Sequence, residues 1–167
     1  MKKILLIIFV LLMLAGCGNS SDASLKQYYD MIENLSSSDD FSFTTNNFSF
    51  VYELTNTNEG YRYYIVIDRP RSAMYNVKVV AFEEGFDKEK EFAPNAGIFD
   101  ERINMLPNQV NIVNGYVKGI SISGIAKNDY PILYCLVQWT DANSSKINKE
   151  IFKIVTSDNE SLESSSE

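Results

Sequence analysis

Hydrophobic and polar positions divide the chain into stretches of three kinds. Ile4 to Leu14 is apolar without interruption. Leu25, Tyr28, Tyr29, Ile32 and Leu35 then recur at helical spacing. That stripe predicts one short amphipathic helix over 25–35, which must bury its apolar side against something. From Phe48 the period changes to two. Phe48, Phe50, Tyr52 and Leu54 alternate with Ser49, Val51 and Glu53, a turn follows over Asn56 to Gly60, and Tyr61, Tyr63, Ile65 and Ile67 return. Alternation of this kind places one face of each strand in a core.

The same pattern predicts a third strand through Tyr75, Val77, Val79 and Ala81, and another over Gly115 to Ser123 around Val117, Ile120 and Ile122. The strongest strand is Ile132 to Thr140, followed by a turn at Asp141 to Lys146 and a return over Ile147 to Val155. Short strands separated by turns, with a single helix ahead of them, indicate a mainly β chain and a β-sandwich over 41–156. The final hairpin resembles the last two strands of immunoglobulin-like or fibronectin-type-III-like domains, so the expected fold is an immunoglobulin-like β-sandwich preceded by one short amphipathic helix. The inter-sheet cysteine pair and the tyrosine corner of true immunoglobulin domains are absent, and a small open barrel is the alternative.

The first stretch changes the picture from fold to location. Eleven apolar residues are too few to cross a bilayer, which takes about 20, but they suit the apolar core of a secretory signal. Lys2 and Lys3 precede them, and Leu14-Ala15-Gly16-Cys17 follows. Basic start, apolar core, small pair and cysteine together resemble the signal peptide and lipobox of a bacterial lipoprotein. The resemblance implies cleavage after residue 16, acyl chains such as palmitate on Cys17, and a protein anchored to the extracytoplasmic face of the cell membrane. One acyl chain anchors only marginally, whereas the two or three implied here hold firmly. Residues 17–24 are then expected to be a lipidated tether, and 157–167, rich in serine and acid, a disordered tail.

Composition narrows the function classes. Removal of residues 1–16 from the 167-residue chain leaves 151, one domain's worth. It also removes two lysines, so the formal charge moves from −7 to −9. No partnership with nucleic acid or with anionic lipid is expected through the general field of so acidic a chain. There is no histidine, which removes the commonest general base and metal ligand. Of the two cysteines, Cys17 is assigned to lipid, which leaves Cys135 without a disulfide partner. Cys135 shares a strand face with Leu133, Val137 and Trp139 and has no base beside it in sequence, so it reads as a small core residue. Asp141 to Ser145 carries oxygen ligands at alternate positions, but Lys146 and Phe152 stand where a calcium loop needs glycine and glutamate. No metal and no cofactor are expected.

Two features remain for function. Tyr61 and Tyr63 share one side of their strand and Tyr64 takes the other, so both faces are aromatic, and the outer one must be covered by the helix or left for a partner. The second feature is Glu83 to Asn111, too long for an ordinary connection and too apolar for a linker. It carries Phe86, Phe92 and Phe99 beside an acidic run of Glu83, Glu84, Asp87, Glu89 and Glu91. The leading expectation is a non-enzymatic binding module, with Phe86, Phe92 and Phe99 meeting an unknown protein or glycan. Two alternatives stand beside it: an exclusion- or immunity-type lipoprotein of a mobile element, and a cell-wall-acting hydrolase that uses paired carboxylates.

Overall fold

The computed structural model describes residues 20–100, 102–143 and 146–156. The expected signal peptide, Cys17 and the acidic tail lie outside the described residues. The architecture is a β-sandwich of two antiparallel sheets with a helix on one outer face. Helix α1 spans Ser20–Ser36, and the strands are β1 (Ser49–Thr57), β2 (Gly60–Asp68), β3 (Tyr75–Glu83), β4 (Asn95–Ala96), β5 (Gly119–Ala126), β6 (Ile132–Thr140) and β7 (Ile147–Val155). One sheet has the order β1-β2-β5 and the other β4-β3-β6-β7.

The period-two pattern explains the inner layer. Phe48, Phe50, Tyr52 and Leu54 of the first strand region, and Tyr61, Tyr63, Ile65 and Ile67 of β2, face Val77, Val79 and Ala81 of β3 and Leu133, Cys135, Val137 and Trp139 of β6. Ile120, Ile122 and Phe152 complete this core, with Phe50 stacked on Phe152 and Phe48 set edge-on to Trp139. β3 and β6 are also apolar on their outer face. Val80, Phe82 and Leu136, with Ile151 of β7, meet Tyr28, Met31, Ile32 and Leu35 of α1 in a second core. The helix therefore covers the four-stranded sheet. The outer face of β1-β2-β5, which carries Tyr64, is left open, with Val51 and Ile125 exposed.

Three boundaries differ from the sequence expectation. The helix starts at Ser20 rather than residue 25, so residues 20–24 of the expected tether are helical. Asp22 in the first turn explains this, because a carboxylate there offsets the positive helix end. β5 begins at Gly119 rather than residue 115, because Tyr116 and Val117 bond instead to Asn111 and Asn104. β3 runs on to Glu83, which makes that acid a strand residue.

The long connection from β3 to β5 is structured. After Gly85 it turns back along β3, where its Pro94 carbonyl accepts from Ala81 N–H and its Ile103 carbonyl from Val77 N–H. Gly97 makes this approach possible. It sits at φ 73°, and a side chain there would run into the Val77 carbonyl. Asn104, buried, ties the connection to β3: its side-chain oxygen accepts from Asn76 N–H at 3.1 Å, where β3 carries a bulge.

The inner core yields two expectations. Trp139→Ala lowers stability by about 3–5 kcal/mol in chemical denaturation, because Trp139 is buried against Phe48. A thiol reagent labels Cys135 slowly in the native domain and at least tenfold faster in denaturant, by order of magnitude about the ratio full burial supports. Rapid labelling of the native protein means the core is not packed as described.

Candidate functional site

The end of the sandwich where β3 leaves its sheet carries a cleft of about 400 Å³. Phe86, Phe92, Ala93 and Pro94 come from the long connection, Gly124, Ile125 and Lys127 from the end of β5, and Tyr63, Phe82 and Glu83 from the strands behind. Glu91 lies at the mouth, 3.5 Å from the Lys127 ammonium. Both are half-exposed, so this ion pair contributes little to stability.

The acidic run is ordered by its own carboxylates. Asp87 accepts from the Glu89 N–H at 3.0 Å and the Lys90 ammonium at 2.7 Å, and its carbonyl accepts from the N–H groups of Lys90 and Glu91. Lys90 beside Asp87 holds that carboxyl below its ordinary value, with the Glu89 N–H adding to the effect. Lys88 reaches across to Glu33 of α1 at 3.0 Å. Glu83 is buried, and each of its oxygens has a donor: Lys127 N–H at 2.9 Å and the Asn128 amide at 3.2 Å. Glu84 accepts from the Tyr134 hydroxyl. Of the five acids, Glu83 and Glu91 line the cleft.

The three sequence-predicted phenylalanines separate into different environments. Phe86 is half-buried, stacked on Phe82 at 5.0 Å, and belongs to the layer under the helix. Phe92 is 59% exposed and stacks on Tyr28 of α1 at 4.4 Å with the rings 11° apart. Phe99 is 44% exposed and backs both, 5.5 Å from Phe92 and 5.7 Å from Tyr28. Phe86 and Phe92 share the cleft, and Phe99 supports it from outside. Tyr28 is the pivot, because its hydroxyl oxygen accepts from the Ala93 N–H at 2.7 Å and so fixes the loop on which Phe92 stands. Burial raises the Tyr28 pKa, which keeps the hydroxyl neutral.

The inner wall is polar. The Tyr63 ring crosses over Gly124, where any side chain would strike it. Outside the cleft lining, the Tyr52 hydroxyl is buried and finds no hydrogen-bond partner among the described residues. Desolvation, with the Glu83 charge adding to it, pushes Tyr52 up to about 12. Desolvation also raises Tyr63, with Cys135, Glu83 and Tyr52 adding to it. Both tyrosines therefore remain neutral hydrogen-bonding groups at neutral pH. Burial pushes the Cys135 thiol up as well, away from the thiolate a nucleophile needs. The cleft combines an aromatic wall, the neutral tyrosine Tyr63 and a carboxylate–ammonium pair, which suits recognition of a polar ligand with a flat apolar face.

Sequence reasoning named Phe86, Phe92 and Glu91 but missed Tyr28, Tyr63, Gly124 and Lys127. Tyr28 carried a helical-stripe signal and Tyr63 a strand signal, both satisfied by burial alone. No family model, no curated protein and no solved structure matches this chain.

Proposed function

We propose that this chain is an extracytoplasmic lipoprotein, held to the cell membrane through lipid on Cys17, and that it works as a binding module without catalytic chemistry. The cleft at Phe86 and Phe92 is its ligand site, and the ligand is of the glycan class. The observation that carries this is the stacking of Phe92 on Tyr28 at the mouth of a cleft lined by Glu91 and Lys127. A pyranose ring offers an apolar face to an aromatic wall and hydroxyls to charged neighbours. The two donors on Glu83 weigh against a hydrolase, since a general acid needs a carboxyl whose proton is directed at the substrate.

The strand order supports the immunoglobulin-like part of the reading. A constant-type immunoglobulin domain pairs its first, second, fourth and fifth strands against its third, sixth and seventh. Here the first, second and fifth pair together and the fourth lies on the edge of the third. One short strand has changed sheets, and the remaining pairings are those of that topology. The open outer face of β1-β2-β5 favours a second reading, in which the partner is a protein and the chain acts by contact exclusion.

Two experiments test the proposal. Full-length Cys17→Ser protein leaves the membrane fraction for the medium or for an unprocessed pool. If it fractionates with membranes as mature protein, the anchor is elsewhere. For the cleft, the folded protein is incubated with purified peptidoglycan sacculi and pelleted. Phe92→Ala abolishes retention while lowering Tm by no more than about 3 °C. Phe86→Ser, which opens the layer beneath, costs about 2 kcal/mol of stability. No retention of the parent protein, or full retention of Phe92→Ala, rejects the glycan site.

A further inference from the structure

The acids of this chain are unevenly placed. It has 22 Asp and Glu against 15 Lys and Arg, yet no Asp or Glu occurs from Arg69 to Phe82 or from Arg102 to Asn128. Both segments run the length of the sandwich to the cleft, and their first halves, Arg69 to Met74 and Arg102 to Lys118, lie at the end remote from it. Met74 and Met105 exchange backbone hydrogen bonds there, at the start of β3, whereas the cleft lies beyond its other end at Glu83.

The same end displays three aliphatic side chains to solvent. Val110 is 59% exposed, Ile112 75% and Val113 94%. They are not on a frayed segment. Asn111 exchanges two backbone hydrogen bonds with Tyr116, at 2.8 and 2.9 Å, and its side chain caps the short 3-10 turn at Asn114. Gly115 closes the turn at φ 73°, packed on the Arg102 carbonyl, a position no other residue fits without strain. Asn104 N–H donates to the Gly115 carbonyl at 2.7 Å, which pins the loop to the buried Asn104. The loop holds a convex apolar tip in water at a fixed place.

Cations lie beside that tip. Arg69 and Lys118 line the groove beside Val110, together with Leu106 and Pro107. Arg71, exposed, reaches the Asn46 side-chain oxygen at 3.5 Å, and Arg102, also exposed, packs its backbone carbonyl against Gly115. Acids near this end are Asp68, paired to Arg69 at 3.2 Å, Asp141 in the β6–β7 turn, and exposed Asp100, two residues before Arg102. The overall negative charge does not cancel such a patch, because at physiological ionic strength fields are screened over about 8 Å.

We propose that this end of the sandwich rests on an anionic phospholipid bilayer. Val110, Ile112 and Val113 enter the boundary between headgroups and acyl chains, and Arg71, Arg102 and Lys118 lie at the level of the phosphates. An apolar tip in water needs a medium that deforms around it, and the cations beside it need a surface of negative charge. A bilayer supplies both. The contact orients the cleft away from the membrane, so it adds orientation to any anchorage through Cys17 and does not depend on it.

The test uses the chain from residue 17 onward with Cys17→Ser, so that no lipid is attached. Both cores are drawn from residues 28–152, so this chain retains all of them. It is sedimented with vesicles of phosphatidylglycerol and phosphatidylcholine, and with phosphatidylcholine alone. Binding to the anionic vesicles is expected, falling with added salt. The double variant Ile112→Ser, Val113→Ser loses about tenfold in partitioning with unchanged Tm. The pair Arg71→Gln, Lys118→Gln weakens binding by roughly fivefold or more per charge removed and flattens its salt dependence. No binding to anionic vesicles, or equal binding by the double variant, overturns the proposal. Failure of the lipid anchor is read separately, from fractionation of the full-length protein.

Discussion

The structure depends on one pair of strands that is buried on both sides. β3 and β6 pair through the middle of the four-stranded sheet, with Val79 opposite Val137, Val80 opposite Leu136 and Ala81 opposite Cys135. Alternate residues face the inner core and the helix layer, and all six of these are buried. A strand with water on one face needs only a two-residue alternation. A strand between two cores needs an almost continuous apolar run, which is what Val79-Val80-Ala81-Phe82 and Leu133 to Val137 provide.

The remaining elements follow from that pair. Because the outer face of β3 and β6 is apolar, α1 must lie on it, and because α1 lies there Tyr28 reaches the Ala93 N–H. That bond fixes the loop bearing Phe92, and the cleft forms where this loop, the end of β5 and the end of β3 converge. The opposite end is organised by Asn104, whose three hydrogen bonds join the start of β3 to the loop that displays Ile112 and Val113. The cleft proposed as a ligand site and the tip proposed to meet a bilayer thus sit at opposite ends of the sandwich, the arrangement that the proposed membrane-anchored binding module needs.

Much of the fold was legible in the sequence, because local pattern and tertiary burial agree along the strands. β6 and β7 begin and end where the sequence pattern places them, and Cys135 and Trp139 lie on the buried face that their spacing assigns. The helix stripe was legible, but its start was not, because Ser and Asp serve equally in a tether or in a first helical turn. The candidate site was only half legible. The aromatic content of the long connection marked it as more than a linker. Which rings turn inward depends on Tyr28 and Phe82, far away in sequence, so Phe86 could not be told from Phe92. Glu83 read only as the first residue of an acidic run, because the donors that accompany its burial come from Lys127 and Asn128, over forty positions later.

Native-state hydrogen exchange measures the central constraint directly. If β3 and β6 form the doubly buried pair on which both cores rest, the amides of Val79, Val80, Leu136 and Val137 exchange only through global unfolding. Those of β1, at the edge of its sheet, and of the loop around Ile112 exchange through smaller openings with lower free energies. Uniform protection across both sheets, or β3 and β6 amides that exchange as fast as those of β1, contradicts the account.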